Sequence, residues 1–253
     1  MPVHSSRGDA PGPPACRPRV PRKRRGGLLG GVDSAFLAGI AHGTLGPDRA
    51  RAVTAVSPSL VAAEWEAAAA PADEWGLCRT PVETEEMASA AYRADDPDRC
   101  FHCREALMDA VRPMADAEGA TVLPGITLDD VGDHRPGQQA VAGRGAWFPL
   151  LDAGFTRAEV LEQSRLMGLR TWDKPAGPCP ASRVPCGSPV SVSVLSTMER
   201  AEAGLHRPGF DEIRVRHYDD TARIGVPEHG LSEVVAAVSA AGYRYVTLDP
   251  VDL

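Results

Sequence analysis

A chain of 253 residues that is 43% hydrophobic and 24% charged can bury one large core or two modest ones. It holds no apolar run near the ~20 residues that cross a bilayer and no signal-type apolar stretch after its basic start, so a cytoplasmic protein with no membrane partner is expected. The formal charge of −7 is uneven: residues 1–25 hold seven basic side chains against Asp9, leaving −13 on the remainder, which argues against nucleic acid as a partner.

Residues 1–27, rich in Pro, Gly and Arg, have no apolar periodicity and read as a disordered basic tail. Arg22-Lys23-Arg24-Arg25 reads as a solvated run, with contact to nucleic acid or an acidic partner as the alternative. Only Leu28 and Leu29 are apolar just before a glycine pair, so the first strand is read as short. In Leu29-Gly30-Gly31-Val32-Asp33-Ser34, Gly30 and Gly31 allow a sharp turn that brings N–H groups close to an anion. Ser34 to Ala41 reads as a helix whose N-terminus favours negative charge. Ser34 adds a hydroxyl donor, and Asp33 is a candidate to hold Mg²⁺ or order the loop. No Gly-Lys-Ser/Thr follows, so this is not a Walker A loop; the plain alternative is an ordinary glycine turn. The stretch resembles the PP-loop, SGGxDS, of ATP pyrophosphatases, which adenylate a substrate and release pyrophosphate. Leu29 stands where that loop has its first serine.

Strand and helix signals then alternate. Arg51–Val56 reads as a buried parallel strand, Leu60–Trp75 as an Ala-rich helix and Leu77–Val82 as a further strand. Leu107–Glu118 has helical spacing, and Thr121–Gly125 is a strand with a turn. Phe148–Leu151 leads to Thr156, an N-cap whose capping box closes with Glu159. Residues 28–175 are therefore expected to form an α/β domain with a doubly wound parallel sheet. From 176 to 253 the pattern changes to a smaller α+β module. There Ser191–Leu195 and Ile213–Tyr218 alternate like half-exposed strands, and Thr197–Leu205 and Leu231–Ala241 read as helices. The proline-rich Lys174–Gly187 segment joins the two, and a cleft at the junction suits a ligand.

Six cysteines in a chain this long do not read as a disulfide framework. Cys100 and Cys103 form a CxxC: half of a zinc or iron–sulfur site, a redox pair, or two packed thiols. Cys179 and Cys186 are candidates to complete a four-thiolate shell in space. Cys16 and Cys78 stand apart from that set.

Trp172-Asp173-Lys174-Pro175-Ala176 followed by Cys179-Pro180-Ala181-Ser182-Arg183-Val184-Pro185 is similar to the WDKPAxACLASRxPYG signature of LarE-type ATP-dependent sacrificial sulfur transferases. Asp98 to Cys103, Asp129-Asp130 through Asp133-His134-Arg135-Pro136-Gly137, Arg214-Val215-Arg216-His217 and Tyr245 to Asp249 agree with that family, so the resemblance covers roughly residues 29–250. It implies a PP-loop fold of the adenine nucleotide alpha hydrolase type. It also implies that ATP activates a carboxylate of a pyridinium biscarboxylate mononucleotide as an acyl-adenylate. A cysteine thiolate then displaces AMP, and cleavage of its Cβ–S bond leaves a thiocarboxylate on the product and dehydroalanine on the protein. This supplies sulfur for the nickel-pincer nucleotide of lactate racemase. Some relatives instead hold an iron–sulfur cluster through three cysteines and use it as the sulfur carrier.

By this resemblance Cys179 is the sulfur donor, with Arg183 or Lys174 placed to lower its pKa; the bland reading is a buried thiol in a proline-rich loop. Gly30, Gly31, Asp33 and Ser34 bind ATP with Mg²⁺. Arg214 and Arg216 grip the substrate phosphate, since alternate strand residues share a face; unaided, they are ordinary charges on an exposed strand. Glu202 matches an acid near the cysteine. Asp130 and Arg135 line the nucleotide or substrate site, or shape a turn. The partner is a nucleotide-like small molecule, with a homo-oligomer as a candidate assembly. Departures include Leu29, Gly125-Ile126-Thr127 for a GTN-like segment, Arg104 for a usual Lys, Cys186 for a frequent Tyr, and Gly225 for a usual Glu. Two other readings compete. A catalytically inert ATP- or metal-binding relative is one. The other is an NAD-synthase-like amidotransferase or tRNA-thiolating enzyme, disfavoured because no glutaminase segment or broad basic face is present.

Overall fold

The alternation of strand and helix signals builds a parallel sheet. A computed structural model describes residues 25–28, 31–60, 62–131, 136–173, 179–206, 214–225 and 230–248. Its first part runs β1 (Arg25–Leu28), α1 (Val32–Leu45), β2 (Ala50–Val56), α2 (Ala62–Glu74), β3 (Cys78–Glu83), α3 (Ala90–Ala94), α4 (Arg99–Glu118), β4 (Thr121–Leu123), α5 (Pro136–Ala142), α6 (Pro149–Asp152) and α7 (Arg157–Leu166). The four strands pair in parallel in the order β3-β2-β1-β4. The first strand described begins at Arg25, ahead of the two leucines the sequence offers for it. β1 is the strand between β2 and β4 although Gly26 and Gly27 fill its middle, because pairing on both sides is a property of the backbone.

Successive strand residues point to opposite faces, and each face meets helices. Val53 and Val122 join Leu107, Met108 and Val111 of α4 and Val141 of α5 in one buried cluster. Ala52 packs with Ala35 and Ala38 of α1 and Ala72 of α2, while Leu123 packs with Val32, Phe36 and Leu37 of α1, Leu150 of α6 and Val160 of α7. Met108 and Val160 are fully buried, each worth about 1.5–3 kcal/mol of apolar transfer. Thr156 caps α7 as its capping box requires: its hydroxyl accepts from the Glu159 N–H while Glu159 accepts from the Thr156 N–H at 2.8 Å. The fold is α/β with a parallel sheet, and no helix among the described residues is long and apolar enough to cross a membrane.

The second part contains α8 (Val192–His206), β5 (Arg214–Tyr218), β6 (Thr221–Gly225), α9 (Leu231–Ala241) and β7 (Tyr245–Leu248). β5 and β6 form an antiparallel hairpin turning through Asp219 at φ 52°, and β7 adds to β6 in parallel after α9. One face of this sheet, with Val215, Ala222 and Ile224, packs on Leu195, Met198 and Leu205 of α8 and Val234 and Val238 of α9. Tyr92 of α3 lies in the same cluster, so the first part of the chain contributes to this core. The expected strand at Ser191–Leu195 is instead the start of α8. Its Ser191 hydroxyl accepts the Val194 N–H at 3.2 Å, a local cap that the Ser-Val-Ser-Val alternation disguises. α4 likewise starts earlier than Leu107, taking Cys100 and Cys103 into its first turns.

Candidate functional site

The strand order reverses between β1 and β4: β2 and β3 lie on one side of β1, and β4 on the other. In open α/β sheets the crevice at the carboxyl ends of such strands is where ligands bind. α1 opens there on Gly31, which gives no side-chain cap, so the first-turn N–H groups have no intrahelical acceptor. Gly31 is extended at φ −152° and a β-carbon on it would meet nothing within 4 Å. Its glycine character is therefore not demanded by the protein's own packing. The tight contact is instead at Gly125, just beyond β4, where a β-carbon would lie 2.6 Å from the Ser34 nitrogen. Ser34 is half-buried in the first turn. Leu29, Gly30, Arg135 and Lys174 lie outside the described residues.

Asp33 faces an arginine that sequence reasoning did not single out. Arg157, at the start of α7, donates to Asp33 Oδ2 at 2.7 Å, and its own backbone N–H donates to the Asp129 carboxylate. Burial raises the Asp33 carboxyl above its ordinary range. Arg157 opposes that shift, and the nearby charges of Asp130 and Asp129 add to it. Asp33 Oδ1 is buried with no hydrogen-bond partner among the described residues. Asp130 shapes a turn: Oδ2 accepts from the Thr127 N–H at 2.9 Å and from its hydroxyl at 3.2 Å.

Cys179 lies exposed at the head of a short 3-10 turn, Pro180–Arg183. That turn is fixed from α4. Arg99 donates to the Ala181 carbonyl at 2.5 Å while ion-paired to buried Asp95. The following chain is tied down too, by Gly187 N–H to the Asp95 carbonyl at 3.0 Å and Val190 N–H to the Arg93 carbonyl at 2.9 Å. Although the residue reaches solvent, protein crowded around its thiol raises the Cys179 pKa by desolvation; the Ala181 N–H and the Arg99 charge act against this. The sequence expectation was a thiol lowered by Arg183 or Lys174. The shift has the opposite sign, and a cation opposing it is Arg99. Arg183 is instead ion-paired to Glu202, both largely buried.

Glu202 joins this turn to β5. One carboxylate oxygen accepts from Arg183 and also from the Val215 N–H at 3.0 Å, on the free edge of β5. Val215 sits between Arg214 and Arg216, whose Cα positions alternate with it and so share the other face of the sheet. The structure thus connects Cys179, Arg183, Glu202 and the Arg214–Arg216 strand through adjacent contacts. Tyr92 lies below: its hydroxyl and that of Ser59, just past β2, share a hydrogen bond of 2.6 Å. Burial raises the Tyr92 pKa strongly, with smaller contributions from Cys179, Cys103 and Glu86. Tyr92 and Ser59 gave no sequence signal as site residues, and Arg99 only its place in the Asp98–Cys103 stretch, since their proximity to Cys179 is purely tertiary.

The four-thiolate shell of Cys100, Cys103, Cys179 and Cys186 is not formed. All four thiols are free, and among the described residues no group of three or more His, Cys, Asp or Glu side chains is placed to hold a metal ion. Burial pushes the Cys103 thiol up to about 12. The side chains as they stand therefore form no zinc or iron–sulfur site among the described residues. Mg²⁺ is a different case: it binds through one or two carboxylates plus substrate phosphates, and the unpartnered Asp33 Oδ1 fits that role.

No protein-family model matches the chain. It is 41% identical over 230 residues to the uncharacterized protein slr1717 of Synechocystis sp., covering 87% of this chain and 85% of the relative. It is 29% identical over 228 residues to the pyridinium-3,5-bisthiocarboxylic acid mononucleotide synthase of Lactiplantibacillus plantarum, covering 87% of this chain and 83% of that enzyme.

Proposed function

We propose, proceeding from a chain that belongs to one family with the Synechocystis protein slr1717, that it is an ATP-dependent sulfur-inserting enzyme of the LarE type. Its substrate is a carboxylate of a pyridinium-3,5-biscarboxylate mononucleotide, on the route to the nickel-pincer nucleotide of lactate racemase. The likeness to the L. plantarum synthase supports the class of reaction. The observation that carries the reading is Cys179: an exposed thiol at a turn tied by Arg99 to α4 and, through Arg183 and Glu202, to the arginine strand. In the same reading the parallel sheet is doubly wound and PP-loop-like, supported by its strand order and by helix clusters on both faces.

ATP phosphates lie against the uncapped first turn of α1, where N–H groups and the helix dipole favour an anion. Asp33 is the residue that would hold Mg²⁺, which supplies charge neutralisation to the phosphates. The substrate carboxylate attacks the α-phosphorus, pyrophosphate leaves, and an acyl-adenylate forms. Arg214 and Arg216 hold the mononucleotide phosphate, which orients its carboxyl toward Cys179. The Cys179 thiol loses its proton to solvent, its thiolate adds to the acyl carbon, and AMP leaves with the bonding pair. Arg99 stabilises that thiolate against the burial that opposes it. Loss of the Cys179 Cα proton to a base and scission of Cβ–S then leave a thiocarboxylate on the product and dehydroalanine in the chain.

The test is intact mass and product analysis of the full chain with ATP, Mg²⁺ and the biscarboxylate mononucleotide. Wild type releases pyrophosphate and AMP, and the protein becomes lighter by about one H₂S, mapped to Cys179. Cys179→Ala releases pyrophosphate and yields no thiocarboxylate. Repeated product formation at unchanged protein mass overturns the sacrificial role, and absence of both pyrophosphate and product overturns the adenylation.

A further inference from the structure

A guanidinium from α7 stands beside the first turn of α1. The main chain that carries it is pinned: the Arg157 N–H donates to the Asp129 carboxylate, and Thr156 before it closes the capping box with Glu159. The side chain is held at one atom, where Nη1 donates to Asp33 Oδ2 at 2.7 Å. Nε and Nη2 have no partner among the described residues, and the Arg157 side chain is 42% exposed against 16% for Asp33. Arg157 therefore has a rigid base and a fixed position at Asp33, with most of its donors unused.

The surrounding charges decide what those donors suit. Asp129 touches the Arg157 main chain, and Asp129 and Asp130 both act on Asp33 through their charge. A polyphosphate entering the turn meets three carboxylates, and a surface helix N-terminus offers only about 0.3–1 kcal/mol against them. Mg²⁺ on Asp33 Oδ1 offsets part of that repulsion, and Arg157 is a cation of the protein placed to offset more. At nucleotide sites Mg²⁺ bridges the β- and γ-phosphate oxygens. Since Arg157 and the unpartnered Oδ1 share one carboxylate, the guanidinium lies at that same end of the nucleotide. Its fork can grip two phosphate oxygens while Nη1 stays on Asp33.

We propose that Arg157 binds the pyrophosphate half of ATP, with Nε and Nη2 donating to its β- and γ-phosphate oxygens. As the substrate carboxylate adds to the α-phosphorus, the bond from that phosphorus to the bridging oxygen breaks and its electron pair leaves with pyrophosphate. Arg157 neutralises the charge that collects there. This rests on the preceding assignment of the nucleotide phosphates to the α1 turn, and deepens it by naming a residue from α7 and the half of the nucleotide it holds. The plain alternative is that Arg157 serves only as the counter-ion of Asp33, and the two roles separate once Asp33 is neutral.

The experiment is calorimetry on the full chain with ATP, pyrophosphate and AMP as probes. With Mg²⁺ present, Arg157→Met is expected to weaken ATP and pyrophosphate by about tenfold, as loss of a charge-assisted contact does, with AMP affinity unchanged. Arg157→Lys, which keeps the charge without the fork, is expected to recover part of the loss. Without metal, Asp33→Asn removes a repelling charge and should tighten pyrophosphate, and adding Arg157→Met to it should again cost about tenfold. If that second substitution changes nothing in the Asp33→Asn background, Arg157 is a counter-ion only and the proposal is overturned while the α1 site stands. If Asp33→Asn leaves both ATP affinity and its Mg²⁺ dependence at wild-type values, the nucleotide does not lie at the α1 turn and the proposal falls with that assignment.

Discussion

Replacing Arg99 by methionine keeps much of the side chain's apolar length and removes its charge. The exposures of Arg99 and Asp95 in their ion pair are 12% and 2%, so the pair is shielded from water. Breaking a buried pair by deleting one partner costs about 3–5 kcal/mol, because the other charge is left uncompensated. Burial already raises the Asp95 carboxyl, with Arg99 as the chief opposing influence. In the variant that carboxyl therefore rises further and takes up a proton more readily, which limits the loss to the lower end, about 3 kcal/mol at neutral pH. The penalty is full above the variant's Asp95 pKa and shrinks as pH falls through it. For a chain of this size about 3 kcal/mol lowers the thermal midpoint by about 6–12 °C. Adding Asp95→Asn, which tolerates the left-handed backbone at φ 58°, removes the orphaned charge and should return part of the stability. The assay is urea unfolding of the four proteins of this cycle, with iodoacetamide labelling of Cys179 against pH. Arg99 lowers the Cys179 pKa, so labelling of Arg99→Met should shift to higher pH. A stability loss under about 1 kcal/mol with an unmoved labelling profile would refute the clamp.

Two further outcomes follow from local geometry. Gly125→Ala sets a β-carbon 2.6 Å from the Ser34 nitrogen; it should cost about 1–3 kcal/mol of stability and weaken ATP binding at the α1 N-terminus by calorimetry, and unchanged ATP affinity would mean nucleotide binds elsewhere. Burial lowers the His217 pKa below its usual 6.5, so the native state takes up this proton less readily than the unfolded chain. Its contribution is complete above the unfolded pKa and is lost as pH falls below it, reaching a limit at the lowered folded pKa. The unfolding midpoint should therefore fall with acidification from about pH 6.5, and His217→Phe should flatten that limb; an identical slope in the variant would remove His217 as its source.

Most of the strands and helices were legible because packing selects residue patterns that survive in one dimension. Ala50–Val56 is an apolar run bounded by turns, and Leu231–Ala241 carries helical spacing that the structure reproduces residue for residue. The extent of β1 was not legible for the opposite reason: Gly26 and Gly27 have no side chains to pattern, and the strand exists through backbone pairing on two sides. At the candidate site, Asp33 stood out from the glycine turn, and Cys179, Glu202 and the β5 arginines from the family resemblance, but their neighbours did not. Arg99 and Ala181 are 82 positions apart, and no local pattern links them. The cysteines show how such tertiary contacts alter chemistry. Spacing alone left Cys103 as half of a metal site, a redox thiol or a packed thiol, and α4 turns it toward the core containing Tyr92 and Ala181, where desolvation raises its pKa. Cys179 is also lifted by desolvation but remains at the surface with Arg99 opposing the shift. Two thiols with the same intrinsic reactivity are thereby set apart, one packed against a core and one at the surface, by the helix face and the turn that the fold assigns to each.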